Sequence, residues 1–137
     1  MSVIRTNDIR TCHDLRRIVF TQEQGVSEAE EMDGLDDQAI HFLAELDGKP
    51  VGTARILIKG DSAKIGRVCV LKGARGTHQG KALILACIDW ARSEGLARAV
   101  LGAQIQALGF YEALGFAAFG PIYDDAGIDH RDMELFL

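Results

Sequence analysis

What this sequence lacks narrows its function before any motif is sought. No stretch of the 137 residues is apolar for the length of a membrane span. Arg5, Asp8 and Arg10 interrupt the region where an apolar leader would lie. Neither insertion nor export is therefore expected, and the expected location is the cytoplasm. The three cysteines, Cys12, Cys69 and Cys87, are odd in number, far apart and without a CxxC pair, so buried reduced thiols are expected rather than disulfides. His13, His41, His78 and His130 show no ligand spacing such as HxxxH, and no metal is expected. A basic stripe with interleaved aromatics is missing, and the net charge of −5 argues against nucleic acid or an anionic membrane as partner. Linkers, repeats and low-complexity segments are missing too, so residues 1–137 read as one domain.

What is present alternates between strand and helix. Residues 2–6 read as a first strand. A helix follows from Asn7 or Asp8, with Leu15, Ile18 and Val19 at helical spacing, until Gly25 breaks it. Residues 26–37 read as a loop or a short acidic helix. Three alternating runs at 39–46, 50–58 and 63–71, parted by "DGK" and "KGDS", predict an antiparallel meander. Residues 79–94 are apolar on most sides, which predicts a helix packed on a sheet. Residues 98–103 read as a buried strand and 104–114 as a short helix, while "FAAFG" and "DMELFL" supply two last strands. The pattern is a mixed α/β (α+β) architecture with a βαβ-like crossover from 63–71 to 98–103.

The turn that opens this crossover helix, "RGTHQGKAL" at 75–83, carries the strongest chemical signal. Bare backbone before a helix offers unpaired N–H groups and a partial positive charge, a natural anion site. A P-loop does not fit, because Arg75 stands where its first glycine belongs and Ala82 where its hydroxyl belongs. A dinucleotide GxGxxG is absent as well.

The run from Arg75 through His78 to Gly80, Lys81 and Ala82 resembles the Q/R-x-x-G-x-G/A signature of the GNAT N-acetyltransferases. Residues 65–71, "IGRVCVL", resemble that family's fourth strand. "FYEALGF" at 110–116 resembles its second signature, a helix carrying a tyrosine. "FTQEQGV", "DGLDDQAIHF", "GTARI" and "YDDAGIDHRDM" resemble the ElaA-type branch. The resemblance implies a single GNAT-like domain with a central, mostly antiparallel twisted sheet flanked by helices. It implies acetyl-CoA as cosubstrate, with Arg75, Gly76, His78, Gln79, Gly80, Lys81 and Ala82 around the pyrophosphate. Val68, Cys69 and Val70 would run along the acetyl-pantetheine arm, with the Val70 N–H as the best candidate to hold the thioester carbonyl. Gln104 stands where many relatives carry an arm-binding asparagine, and Phe110 adjoins the same groove. His78 departs from the usual middle glycine.

By the same resemblance Tyr111 is the general acid toward the departing thiolate, since a phenol stays protonated at neutral pH. Glu23 and His41 are the candidates for the base, with a structural histidine as the other reading of His41 and ordered water as the other route to a neutral amine. No Lys or Arg occurs from Ile18 to Gly48, whereas nine Asp and Glu do, which leads to the expectation of a small cationic amine as acceptor. A second copy of the chain, as a homodimer, is the one macromolecular partner expected. A catalytically silent CoA-binding regulatory or interaction module is the alternative to an enzyme.

Overall fold

Seven strands make one sheet in the computed structural model, which describes residues 2–137. They are β1 (Ser2–Thr6), β2 (Ile40–Leu46), β3 (Lys49–Lys59), β4 (Ser62–Val70), β5 (Arg98–Gln104), β6 (Ala117–Asp125) and β7 (Ile128–Phe136). Four α-helices accompany them: α1 (Ile9–Arg16), α2 (Glu28–Glu31), α3 (Gln79–Ser93) and α4 (Leu108–Ala113). The spatial order is β1-β2-β3-β4-β5-β7-β6, antiparallel throughout except where β4 meets β5. That parallel step needs a crossover, and α3 supplies it.

One face of the sheet buries the apolar side of α3. Leu83, Ile84, Cys87, Ile88 and Ala91 pack against Phe42, Ile56, Ile65, Leu101 and Met133. The other face carries α1, whose Cys12 and Leu15 join Val19, Leu43 and Cys69 in a second, smaller cluster. All three cysteines are buried thiols. Asp8 caps α1 by accepting from the Thr11 N–H at 3.2 Å, as its place before the helix suggests. Three local expectations change. The helix from Asn7 continues beyond Arg16 as a π-helical turn, Arg17–Glu23. Residues 104–114 split into a 3-10 turn, Ile105–Ala107, followed by α4. The last two strands are longer than "FAAFG" and "DMELFL", because Ala126 and Gly127, both at positive φ, turn β6 directly into β7.

The acidic stretch after the π-helical turn is fastened to the sheet by arginines from outside it. Arg16 is 1 % exposed and donates to both Glu31 and Asp36. Arg55 of β3 donates to Asp36 at 3.0 Å and to Asp33. Arg67 of β4 donates to the Glu31 carbonyl and to Asp33. Three guanidinium groups therefore answer three carboxylates in a closed set, with His13 on Asp36 at 2.8 Å. Burial alone would raise the Asp36 carboxyl, but hydrogen bonds from Arg16 and His13 outweigh it and hold it well below the usual carboxylate range. The Arg55 hydrogen bond, acting against partial burial, brings Asp33 to about 2.

Breaking such a set leaves buried charge unmatched. Asp36→Ala is expected to cost about 3–5 kcal/mol in urea unfolding, more than the loss of an ordinary surface ion pair. The pH dependence has a definite sign. Both carboxyls are depressed in the folded state, so their contribution is complete above their unfolded value of about 4. It is lost as pH falls from there through about 2, and Asp36→Ala should flatten that acid limb of the stability curve.

Candidate active site

β4 and β5 pair at only three positions, Ser62 with Arg98, Ala63 with Ala99 and Lys64 with Val100. Beyond them residues 65–70 and 101–104 remain strand but no longer pair with each other. The separation begins beside a bulge in β4. Gly66 pairs with Arg55 and Cys69 with Thr53, so Arg67 and Val68 together oppose the single residue Ala54. Arg67 takes φ 50° there, and its guanidinium is anchored under Glu31.

Past the bulge the strand alternates regularly. The Leu71 N–H donates to the Val51 carbonyl at 2.8 Å, so Leu71 and Cys69 face β3 and Val70 faces the gap. Arg75 Nε, at 3.0 Å, already donates to the Val70 carbonyl on that side. The Val70 N–H points the same way. Cys69 instead sends its side chain into the cluster under α1, where burial pushes the thiol up to about 12. It is strand scaffold, in contrast to the role expected of it along an arm.

Two hollows flank this gap. A groove of about 460 Å³ is lined by Val70, Arg75, Gly76, His78, Gln79, Gly80, Lys81 and Phe110. A cavity of about 360 Å³ is lined by Val68, Gln104 and Tyr111, among others. Consecutive residues thus face different hollows: Phe110 the groove, Tyr111 the cavity.

At the groove, α3 begins without a side-chain cap. Its first intrahelical bond runs from the Ala82 N–H to the His78 carbonyl at 3.0 Å. The N–H groups of Gln79, Gly80 and Lys81 are left for an external acceptor, whereas that of Ala82 is already used, and Ala82 does not line the groove. His78 adopts φ 64°, the left-handed conformation that the signature's usual glycine provides. Gly80 is helical, and its bare Cα leaves the groove open. A Cβ there would meet Phe110 at 3.8 Å and Val70 at 3.9 Å, so a larger side chain would fill the groove. Gln79 buries its amide under the loop, with neither polar atom bonded among the described residues.

The cavity contains a phenol in an apolar setting. Tyr111 packs edge-on against Phe110 and Phe116, and burial pushes its hydroxyl up to about 12. Gln104 does not stand free: it donates to Gln24 at 3.1 Å and accepts from Gln106. Neither expected base reaches the cavity. Glu23 forms a bidentate pair with Arg75 at 2.7 and 2.8 Å, and that hydrogen bonding lowers its carboxyl. His41 is 3 % exposed and bonded through Nε2 to the Asp36 carbonyl, which makes it the structural histidine. The acidic stretch is also less negative than its sequence suggests. Four acidic and four basic side chains line the cavity.

Two cavity residues carried no individual role in the sequence reading. Tyr123 donates to Asp132 at 2.8 Å, and His130 stacks on its ring with centroids 5.9 Å apart. Both lie in "YDDAGIDHRDM", where the signal was the motif as a whole.

A strand whose N–H faces a gap, an uncapped helix start and an enclosed phenol are parts that acyl transfer can use. The chain belongs to the acetyltransferase (GNAT) family, whose model matches residues 9–116. It is 37% identical over 126 residues to the uncharacterized protein YyaT of Bacillus subtilis, covering 90% of this chain and 85% of that one. Protein ElaA of Escherichia coli is 32% identical over 125 residues, covering 87% and 81%. An acyl-CoA N-acyltransferase from Pseudomonas aeruginosa superposes with a TM-score of 0.86 at 26% identity, over 98% of this chain and 99% of that one.

The cavity floor makes a direct prediction. A Cβ on Gly102 would run into the Tyr123 hydroxyl and force it off Asp132. Gly102→Ala should therefore cost about 1–3 kcal/mol in thermal or urea unfolding, the range of an overpacked contact. Adding Tyr123→Phe should recover much of that loss.

Proposed function

We propose that the protein is an acetyl-CoA-dependent N-acetyltransferase that passes the acetyl group directly to a small amine. The observation that carries this reading is the pair of hollows either side of one splayed strand, one with free N–H groups and the other with a phenol. The Gln79, Gly80 and Lys81 N–H groups would hold the pyrophosphate, reinforced by the dipole of α3. An extended pantetheine arm would run in the gap beside β4 where β5 no longer pairs, with the Val70 N–H on the thioester carbonyl. Tyr111, kept protonated by its burial, would give its proton to the sulfur as the C–S bond breaks.

The acceptor reading is narrower than the acidic stretch implied. Glu31, Asp33 and Asp36 are already paired with arginines, and the cavity lining is balanced. We therefore infer an amine that is cationic through its reacting ammonium, without extra attraction for polycations.

One set of measurements tests these assignments. Acetyl-CoA consumption is followed with spermidine, benzylamine and O-benzylhydroxylamine, alongside calorimetry with CoA. Gly80→Val should stay folded and lose CoA affinity, whereas Tyr111→Phe should keep it and lose about 10²-fold or more in kcat. Unchanged affinity in a folded Gly80→Val would move the groove's ligand elsewhere, and tight CoA binding without turnover would favour a silent binding module. Balanced charge predicts that spermidine turnover changes by less than about threefold between low and high salt, where long-range steering would fall steeply.

A further inference from the structure

We propose that His130 is the general base that takes the proton from the arriving ammonium. The inference rests on the transferase reading and adds the residue that reading left open.

His130 sits on β7, in register with Gln104 at the end of β5, and lines the same cavity as Val68 and Tyr111. Its Nδ1 lies 2.7 Å from the Ile128 carbonyl oxygen. A carbonyl only accepts, so the ring proton is on Nδ1 and Nε2 carries the lone pair. The Nε2 has no protein partner among the described residues. The ring is also held in direction, stacked on Tyr123 at an interplanar angle of 24°, with Tyr123 itself tied to Asp132.

No other histidine combines these properties. His13 spends Nε2 on Asp36, His41 spends Nε2 on the Asp36 carbonyl, and His78 lines the groove on the far side of the gap. Of the four cavity carboxylates, Glu31 and Asp33 are held by arginines, Glu30 accepts from Ser27, and Asp125 is exposed at the turn from β6 into β7. A base needs a lone pair, access and a fixed aim, and only His130 offers all three among the histidines.

The proton count closes. Nε2 takes one proton from R–NH₃⁺, and the neutral nitrogen attacks the thioester carbon. As the C–N bond forms and the C–S bond breaks, Tyr111 gives its proton to the sulfur. The second proton lost by nitrogen restores the phenol, and the imidazolium releases its proton to solvent. The products are the acetamide, CoA thiol and one proton.

The test variant is His130→Asn. The asparagine amide nitrogen takes the place of Nδ1 and can keep the bond to Ile128, but nothing replaces the Nε2 lone pair. Thermal stability and CoA affinity should be unchanged. Turnover of benzylamine, which arrives protonated, should fall about 10²-fold or more, and that of O-benzylhydroxylamine, which arrives neutral, by less than about fivefold. Equal losses on both amines would mark His130 as merely structural, and no loss on either would remove it from the reaction; both outcomes overturn the proposal. If wild type turns over neither amine, its basal hydrolysis of acetyl-CoA is compared instead, because the same base would activate water. A hydrolysis rate lowered by His130→Asn supports the proposal, and an unmoved rate overturns it. Wild type that binds CoA and never breaks the thioester overturns the transferase reading, and this inference with it.

Discussion

The parting of β4 from β5 is the constraint on which the rest of the molecule depends. A parallel pair normally continues until one strand ends. Here pairing stops after Lys64 and Val100 while both strands run on, so the middle of the sheet exposes backbone that it would ordinarily satisfy internally. The cause is local, a bulge at Arg67 and Val68 that adds one residue to β4 against β3 and turns the strand away from β5. Everything chemical follows from that divergence. Val70 directs its N–H into the gap, α3 starts at the groove, and α4 places Phe110 in that groove and Tyr111 in the cavity.

A gap in a sheet costs stability, and the buried ion set helps to hold its walls. Arg55 comes from β3, Arg67 from the bulge itself, and Arg16 from α1; their carboxylate partners all lie between Glu31 and Asp36. The loop that roofs the cavity is thereby tied to the strand that opens it. Such a set is sensitive to geometry, since desolvation is repaid only while every partner is in place. It also settles how the local charge is spent. Glu31, Asp33 and Asp36 serve the fold first, and the cavity lining that Glu31 and Asp33 share with Arg55 and Arg67 is left balanced in charge.

That division explains which features were legible in the sequence. The helix start at Gln79 and the hairpins at "DGK" and "KGDS" rest on local backbone and turn chemistry, which neighbouring residues determine. The groove at Arg75 to Lys81 was legible for the same reason. The run of acids from Glu23 to Asp47 was not, because its partners Arg16, Arg55, Arg67 and Arg75 lie outside the run and meet it only through the sheet. His130 is a similar case. Nothing adjacent in sequence shows that the turn at Ala126 and Gly127 folds it back opposite Gln104.

Backbone strain follows the same division between fold and site. Among the described residues, four other than glycine hold positive φ: Asp47, Arg67, His78 and Ala126. Asp47 and Ala126 are hairpin turns, where the conformation belongs to the turn type. Arg67 and His78 are not in hairpins, and each conformation costs on the order of 1 kcal/mol or more for a residue with a Cβ. They stand at the two ends of the segment that joins the bulge to α3, and each aims a set of N–H groups. Arg67 sets the strand so that Val70 faces the gap, and His78 sets the turn so that Gln79, Gly80 and Lys81 face the groove. Relaxing either residue would redirect donors that the rest of the chain leaves unpaired. The strain is located at the two points where backbone donors are left unpaired, one beside each hollow.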